Sequence, residues 1–154
     1  MTRGCLSPRS LRAFALFFGL VAAGCTGDPE PRAIAVTQAD GGLTLIAGTL
    51  DRPCEEATSI IIECGRWELE VYLPEGEATD GARSLGQDGV NAFRYRSDGA
   101  PDADECTARV DEFAQGTIEI VAKDAASVTF RVDGTTSVTP RFDADGTFQA
   151  SRCP

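Results

Sequence analysis

The stretch Trp67-Glu68-Leu69-Glu70-Val71-Tyr72-Leu73 decides the fold class of this chain, because apolar and polar side chains alternate along it. Successive side chains of a β-strand point to opposite faces of a sheet, so the four apolar residues would share one face. The turn sequence Pro74-Glu75-Gly76 follows at once. The pattern predicts a strand with a buried apolar face, and an opposite face on which Glu68 and Glu70 meet solvent.

The same alternation recurs through the rest of the chain after residue 33, whereas helical periodicity is scarce. About nine short strands at intervals of about 8 to 12 residues favour an all-β fold, built as an antiparallel sandwich or barrel. Besides 67–73, the predicted strands are 34–38, 43–50, 59–63, 82–85, 92–96, 117–121, 127–132, 136–142 and 147–152.

One segment, residues 101–115, fits two structures. Pro101 stands where a helix could begin, apolar residues follow at helical spacing, and Gly116 could cap the end. Cys106, Ala108 and Val110 also alternate and lead into the next strand. We favour the strand, with a helix across the mouth of a barrel as the alternative.

The N-terminus is organised as an export signal. Three arginines precede an uncharged apolar run over residues 13–23, which is too short to span a bilayer. The run closes in Ala22-Ala23-Gly24-Cys25, which resembles the lipobox of bacterial lipoproteins cut by signal peptidase II. Ala22 and Gly24 also satisfy the small-x-small rule of the ordinary secretory peptidase, so a secreted protein is the alternative.

The lipobox resemblance implies a signal peptide over residues 1–24 and a diacylated, N-acylated Cys25 that attaches the protein to a membrane. Residues 25–32 would form the lipidated cysteine and its tether, and residues 33–154 a single β domain. Because aspartate after the lipidated cysteine is the usual signal for retention in the inner membrane, Thr26 favours the outer membrane. We therefore expect a cell-envelope protein anchored by its lipid.

Four cysteines remain after the signal peptide and the lipidated residue are set aside. They are Cys54, Cys64, Cys106 and Cys153. An exported chain meets an oxidising compartment, so we predict two disulfides among them. Of the three possible pairings we favour Cys54 with Cys64, which flank one predicted strand, and Cys106 with Cys153. No CxxC pair or histidine is present, so no metal site is predicted.

Charge and composition exclude several function classes. Eleven basic residues follow Cys25 against all 24 acidic ones, which gives the mature chain a net charge of −13 and makes nucleic acid an unsuitable partner. The absence of histidine removes the Ser-His and Cys-His nucleophilic systems. There is no Gly-rich phosphate loop, and no cofactor is predicted.

Acidic and aromatic residues remain as candidates for a site. Glu68 and Glu70 would lie about 6.8 Å apart on one face, a spacing compatible with an inverting glycosidase, although we expect both in solvent. The acidic sequences 143–146 and 98–105 could hold calcium, but turns and solvated loops explain both. Three aromatic residues could form a stacking platform for sugar: Trp67, which we expect in the core, Tyr72, which faces the other way, and Tyr95.

Residues 67–153 also resemble, loosely, small uncharacterised all-β lipoprotein domains of Gram-negative bacteria. The shared features are a Trp-x-Leu-x-Val-x-Leu-Pro strand, a Gly-Thr-Ile-x-Ile strand, a Val-Thr-Phe-x-Val strand and a closing Gly-Thr-Phe. The resemblance implies no catalytic residues. We predict a non-catalytic binding or structural lipoprotein with an envelope protein or glycan as partner. A carboxylate-dependent hydrolase acting on glycan is the alternative.

Overall fold

A computed structural model describes residues 30–50, 52–57, 63–76, 78–79, 81–100, 103–135 and 143–154. These residues form nine β-strands and one short 3-10 helix, Cys54–Glu56. The strands are β1 Arg32–Thr37, β2 Leu43–Gly48, β3 Trp67–Leu73, β4 Gly81–Ser84, β5 Asn91–Asp98, β6 Thr107–Glu112, β7 Thr117–Lys123, β8 Ser127–Asp133 and β9 Gly146–Arg152.

All nine strands belong to one curled, half-barrel sheet, which confirms the predicted all-β class. The strand order is β4-β7-β8-β9-β1-β2-β3-β5-β6. The sheet is mixed rather than purely antiparallel, because β1 and β9 pair in parallel at Ile34–Ser151 and Ala35–Arg152. The strand alternation predicts which side chains share a face, but not the direction in which the first and last strands meet.

The core lies on the concave inner face of the curled sheet. The apolar residues of β3 are buried there as predicted, with Trp67 only 3% exposed and Leu69 fully buried. From the other half of the sheet, β7 contributes Ile118 and β8 contributes Phe130, whose ring centroid lies 5.3 Å from that of Phe148 on β9. Curling allows one sheet to cover its own apolar face, so no second layer is needed for this burial.

The structure decides some of the remaining secondary-structure predictions. Within residues 101–115, the strand is confirmed at Thr107–Glu112, where it forms an exposed edge beside β5. The predicted signal peptide, Cys25, residues 59–62 of the strand predicted over 59–63, and the strand over 136–142 lie outside the described residues. No helix in the described ranges has the length and apolar character needed to cross a membrane.

Two disulfides join the four predicted cysteines, but the favoured pairing was wrong. Cys54 is bonded to Cys153, and Cys64 is bonded to Cys106. The order of the strands in the sheet brings the cysteines of each bond close together. The pairing of β9 with β1 places Cys153 beside Ala35, whose carbonyl accepts its N–H at 2.8 Å. Because β5 pairs with both β3 and β6, the residue before β6, Cys106, lies near the loop before β3, which contains Cys64.

Candidate functional site

The sheet has a second, polar face opposite the core, formed by β1, β2, β3 and β5, which we call the outer face. A cavity of about 540 Å³ lies on it, within the size range of small-molecule sites. Its charged and aromatic lining side chains are Asp40, Arg52, Glu68, Glu70, Tyr72 and Tyr95. Val36, Ile46 and Ala57 supply an apolar part of the wall.

Strand register places the functional side chains in neighbouring rows. Glu70 on β3 lies directly between Ile46 on β2 and Phe93 on β5. One row further along, Glu68 lies between Gly48 and Tyr95. Because cross-strand neighbours on one face are in side-chain contact distance, each carboxylate stands beside an aromatic residue.

Arg52 packs over Glu68 on the outer face. The chain leaves β2 and folds back so that Arg52 Nε lies 2.8 Å from Glu68 Oε2, with the two side chains only 6% and 4% exposed. The contact is an ion pair between two groups that are both largely shielded from water. Arg52 Nη1 donates to the carbonyls of Glu56 and Ala57 at 3.2 and 3.0 Å. The guanidinium thus ties the 52–57 segment to the sheet.

Glycine is required at position 48 for this arrangement. A Cβ added to Gly48 would lie 2.2 Å from the backbone oxygen of Trp67 and 2.8 Å from the Cα of Glu68. Any larger residue would push β2 away from β3 at the point where Arg52 meets Glu68.

Burial changes the acid strength of both glutamates. Burial raises the pKa of Glu68 to about 7, and the nearby Arg52 offsets only part of the cost of removing the carboxylate from water. Burial also raises the pKa of Glu70, and Arg52 again opposes the change. Glu68 is therefore close to half-protonated at neutral pH.

Asp40 and Tyr72 form a fixed pair at one end of the cavity. The Tyr72 hydroxyl donates to Asp40 Oδ2 at 2.6 Å, and the Gly42 N–H donates to Asp40 Oδ1 at 2.9 Å. These two hydrogen bonds lower the pKa of Asp40, so it stays an anion. The bond to Asp40 raises the pKa of Tyr72.

Tyr95 completes the aromatic part of the wall. Burial, followed by the negative charges of Glu70 and Glu68, raises the pKa of its hydroxyl. Among the described residues its hydroxyl has no hydrogen-bond partner, which leaves it able to donate to or accept from a ligand.

The structure overturns the prediction that Glu68 and Glu70 lie on a solvated face. Glu68 is 3% exposed and Glu70 is half-buried. The alternation of β3 correctly separates two faces, but it carries no sign that Arg52, 16 residues earlier, would cover the second one. The predicted orientations of Trp67 and Tyr72 are confirmed, and Tyr95 joins Tyr72 at the cavity. Arg52 and Asp40 were missed, because each is a lone charge in a loop.

The candidate calcium sequences have local structural roles instead. Asp145 Oδ1 accepts hydrogen bonds from the N–H and hydroxyl of Thr135 at 2.6 and 2.7 Å, and Asp143 Oδ1 accepts from the Asp145 N–H. Asp98 pairs with Arg96 and, at 2.7 Å, with Arg109. Within the described ranges no three carboxylate or cysteine side chains are grouped to hold a metal ion.

A second cavity of about 500 Å³ lies on the other side of Arg52, at the parallel junction of β1 and β9. Its wall includes Arg32, Thr147, Phe148 and Gln149. Arg52 lines both cavities and therefore lies between them. The outer-face cavity is the one that contains the carboxylates.

Comparisons with protein-family models, with curated proteins and with solved structures find no match to this chain.

Proposed function

We propose that this protein is a lipid-anchored envelope lipoprotein that binds a small polar ligand in its outer-face cavity without converting it. The outer-face cavity carries the proposal, because a preformed space of about 540 Å³ with a few convergent polar groups is typical of ligand sites. Most of the polar groups are held by strands or by the disulfide-tethered 52–57 segment, and Asp40, in the turn between β1 and β2, is fixed by hydrogen bonds from Tyr72 and Gly42. Such support favours a rigid binding site.

The anchoring part of the proposal is supported by the sequence and by the disulfides. The lipobox-like residues 22–25 follow a basic and then apolar leader. Two disulfides are typical of a chain that folds in an oxidising compartment such as the bacterial periplasm. A lipid on Cys25 would place the start of β1 within about 25 Å of the membrane surface, because seven residues can span no more than that.

A hydrolase acting on glycan is the second candidate, favoured by one observation. Burial raises the pKa of Glu68 to about 7, as a general acid requires, and Glu70 stands about 6.8 Å along the same strand. The position of Glu68 argues against this role. Its side chain is only 4% exposed and paired with Arg52, so a glycosidic oxygen could not reach it without displacing Arg52. Binding is therefore the better proposal.

Nuclear magnetic resonance can test binding and catalysis on one sample. The mature protein, purified in detergent, would be titrated with ammonium compounds and with chitin and peptidoglycan oligosaccharides. We expect at least one class to shift amides of β2, β3 and β5 around the cavity, with every ligand recovered intact by mass spectrometry. Shifts confined to other surfaces, or none, would refute the cavity as the binding site. Oligosaccharide cleavage that Glu68→Gln or Glu70→Gln abolishes would establish the hydrolase instead.

A blocking variant provides the control for that titration. Ala57 lines the cavity from a segment outside the sheet, so Ala57→Trp should fill the space without changing a charge or a strand. Ala122→Trp makes the same substitution at an exposed position on β7. We expect only Ala57→Trp to suppress the shifts, with both variants retaining the β-sheet spectrum by circular dichroism.

A further inference from the structure

We propose that the ligand of the outer-face cavity is an organic cation, held with its ammonium group beside Glu70, Tyr72 and Tyr95. This inference rests on the proposed binding function and specifies its chemistry. It follows from the charges that the cavity leaves unbalanced and from the kind of surface around them.

The cavity contains more negative charge than the protein itself neutralises. Three carboxylates line it, those of Asp40, Glu68 and Glu70, and Arg52 is the cation among the described residues of its wall. Arg52 is already committed to Glu68 and to two backbone carbonyls. Both Asp40 oxygens accept hydrogen bonds from the protein.

Glu70 is the carboxylate left without an ion-pair or hydrogen-bond partner among the described residues, because Arg52 acts on it only from its position beside Glu68. It lies half-buried between Ile46 and Phe93, and no described residue donates a hydrogen bond to it or forms an ion pair with it. A carboxylate removed from water without a partner costs free energy, and a cation that binds beside it recovers that cost. The position of Glu70 is thus prepared for a positive group supplied by a ligand.

The surroundings of Glu70 fit an organic cation better than a metal ion. Two tyrosine rings line the same cavity, and aromatic faces attract ammonium groups through the ring quadrupole. Val36 and Ile46 offer apolar surface to methyl or methylene groups. Metal ions bind instead through several oxygen ligands that converge on one point, and among the described residues no three acidic side chains are placed closely enough to hold a metal ion.

The charge of the whole mature chain supports the same ligand class. Its net charge of −13 creates a negative potential that raises the local concentration of cations and repels anions. A neutral saccharide could also stack on the tyrosines, but it would leave Glu70 unpaired. Saccharide is therefore the competing class.

Choline and its uncharged isostere 3,3-dimethyl-1-butanol separate the two classes, because they differ in charge but hardly in shape. Binding to the detergent-purified mature protein would be followed by amide shifts, with chitin oligosaccharides as the saccharide probe. We expect choline to shift amides around Glu70 and Tyr95 and the isostere to bind at least about tenfold more weakly. Glu70→Gln should weaken choline by about tenfold or more. Glu112→Gln removes the same charge from the exposed edge strand β6 and should leave affinity within about twofold.

The outcomes distinguish this inference from the proposed function. If the isostere or the oligosaccharides bind in the cavity as well as choline does, and Glu70→Gln has no effect, the cation proposal is wrong while the binding function stands. If no probe of either class shifts the cavity amides, both proposals fail. Choline binding that Glu112→Gln weakens as much as Glu70→Gln would show attraction by net charge alone, and would also overturn the cation site.

Discussion

At the scale of single residues, Glu68 is the most informative side chain, because it is a carboxylate buried within a β-strand. Its ion pair with Arg52 does not compensate for the loss of water, so its pKa rises instead of falling. Removing two charges from water often costs more than their mutual attraction returns. Such a pair stabilises the fold weakly, and its structural effect is to shape the cavity that both residues line.

The raised pKa makes stability depend on pH in a defined direction. Because Glu68 titrates near 7 when folded and near 4.5 otherwise, the folded state holds the proton more tightly. The stabilisation that this tighter proton binding gives the folded state is complete below about pH 4.5, and it is lost as the pH rises through about 7. From about pH 4 to pH 8, we expect wild type to lose on the order of 3 kcal/mol of unfolding free energy relative to Glu68→Gln. Urea unfolding at each pH measures this difference.

The exposed Glu112→Gln provides the comparison, since it removes a carboxylate from an edge strand where water screens the charge. Its stability curve should run parallel to that of the wild type. If the curve of Glu68→Gln is also parallel to the wild-type curve, Glu68 does not hold a proton more tightly in the folded protein.

Some residues of the site can be predicted from the sequence, and others cannot, for identifiable physical reasons. Period-two alternation placed Trp67 in the core and put Glu68, Glu70 and Tyr72 together on the opposite face. It could not show that this face is covered, since coverage depends on Arg52 returning from a loop. A strand pattern reports two faces, whereas burial depends on what packs against each of them.

At the scale of elements, the 52–57 segment connects the fold to the site. It leaves the end of β2, carries Arg52 and Ala57 over the outer face, and is bonded through Cys54 to the end of β9. The strand positions were largely predictable from local alternation. The pairing of β1 with β9 and the disulfide partners were not, because they depend on contacts between residues that are far apart in the sequence.

The two disulfides should differ in their effect on the cavity. They span 99 and 42 residues, so by the chain-entropy account they stabilise the fold by about 5 and about 4 kcal/mol. We expect Cys54→Ser with Cys153→Ser to accelerate hydrogen exchange of the Ala57 amide, which donates to the Cys54 carbonyl. Cys64→Ser with Cys106→Ser should also lower the stability of the fold. In that variant, however, the Ala57 amide should exchange more slowly than it does in the variant without the Cys54–Cys153 bond.

Non-reducing peptide mapping checks the connectivity on which this expectation depends. A peptide containing Cys54 should be linked to one containing Cys153. Equal acceleration of Ala57 exchange in both double variants would mean that the 52–57 segment is not held by its own disulfide.

At the scale of the whole molecule, one curled sheet provides two different surfaces. The concave inner face buries the apolar core, and the outer face of β1, β2, β3 and β5 forms a partly covered, acidic cavity. The parallel contact between β1 and β9 brings the two ends of the sheet-forming chain together. A lipid anchor preceding β1 would hold this junction near the membrane.

Anchoring itself predicts the behaviour of the whole protein in the cell. If Cys25 carries the lipid, wild type incorporates labelled palmitate and fractionates with membranes, because acyl chains bury their methylene groups in the bilayer. Cys25→Ser should abolish labelling and leave an uncut precursor or a soluble form. Cys5→Ser, which changes a thiol within the predicted signal peptide, should behave as wild type. Membrane fractionation and labelling of Cys25→Ser at wild-type levels would exclude the lipobox, and a soluble, unlabelled wild type would identify a secreted protein instead.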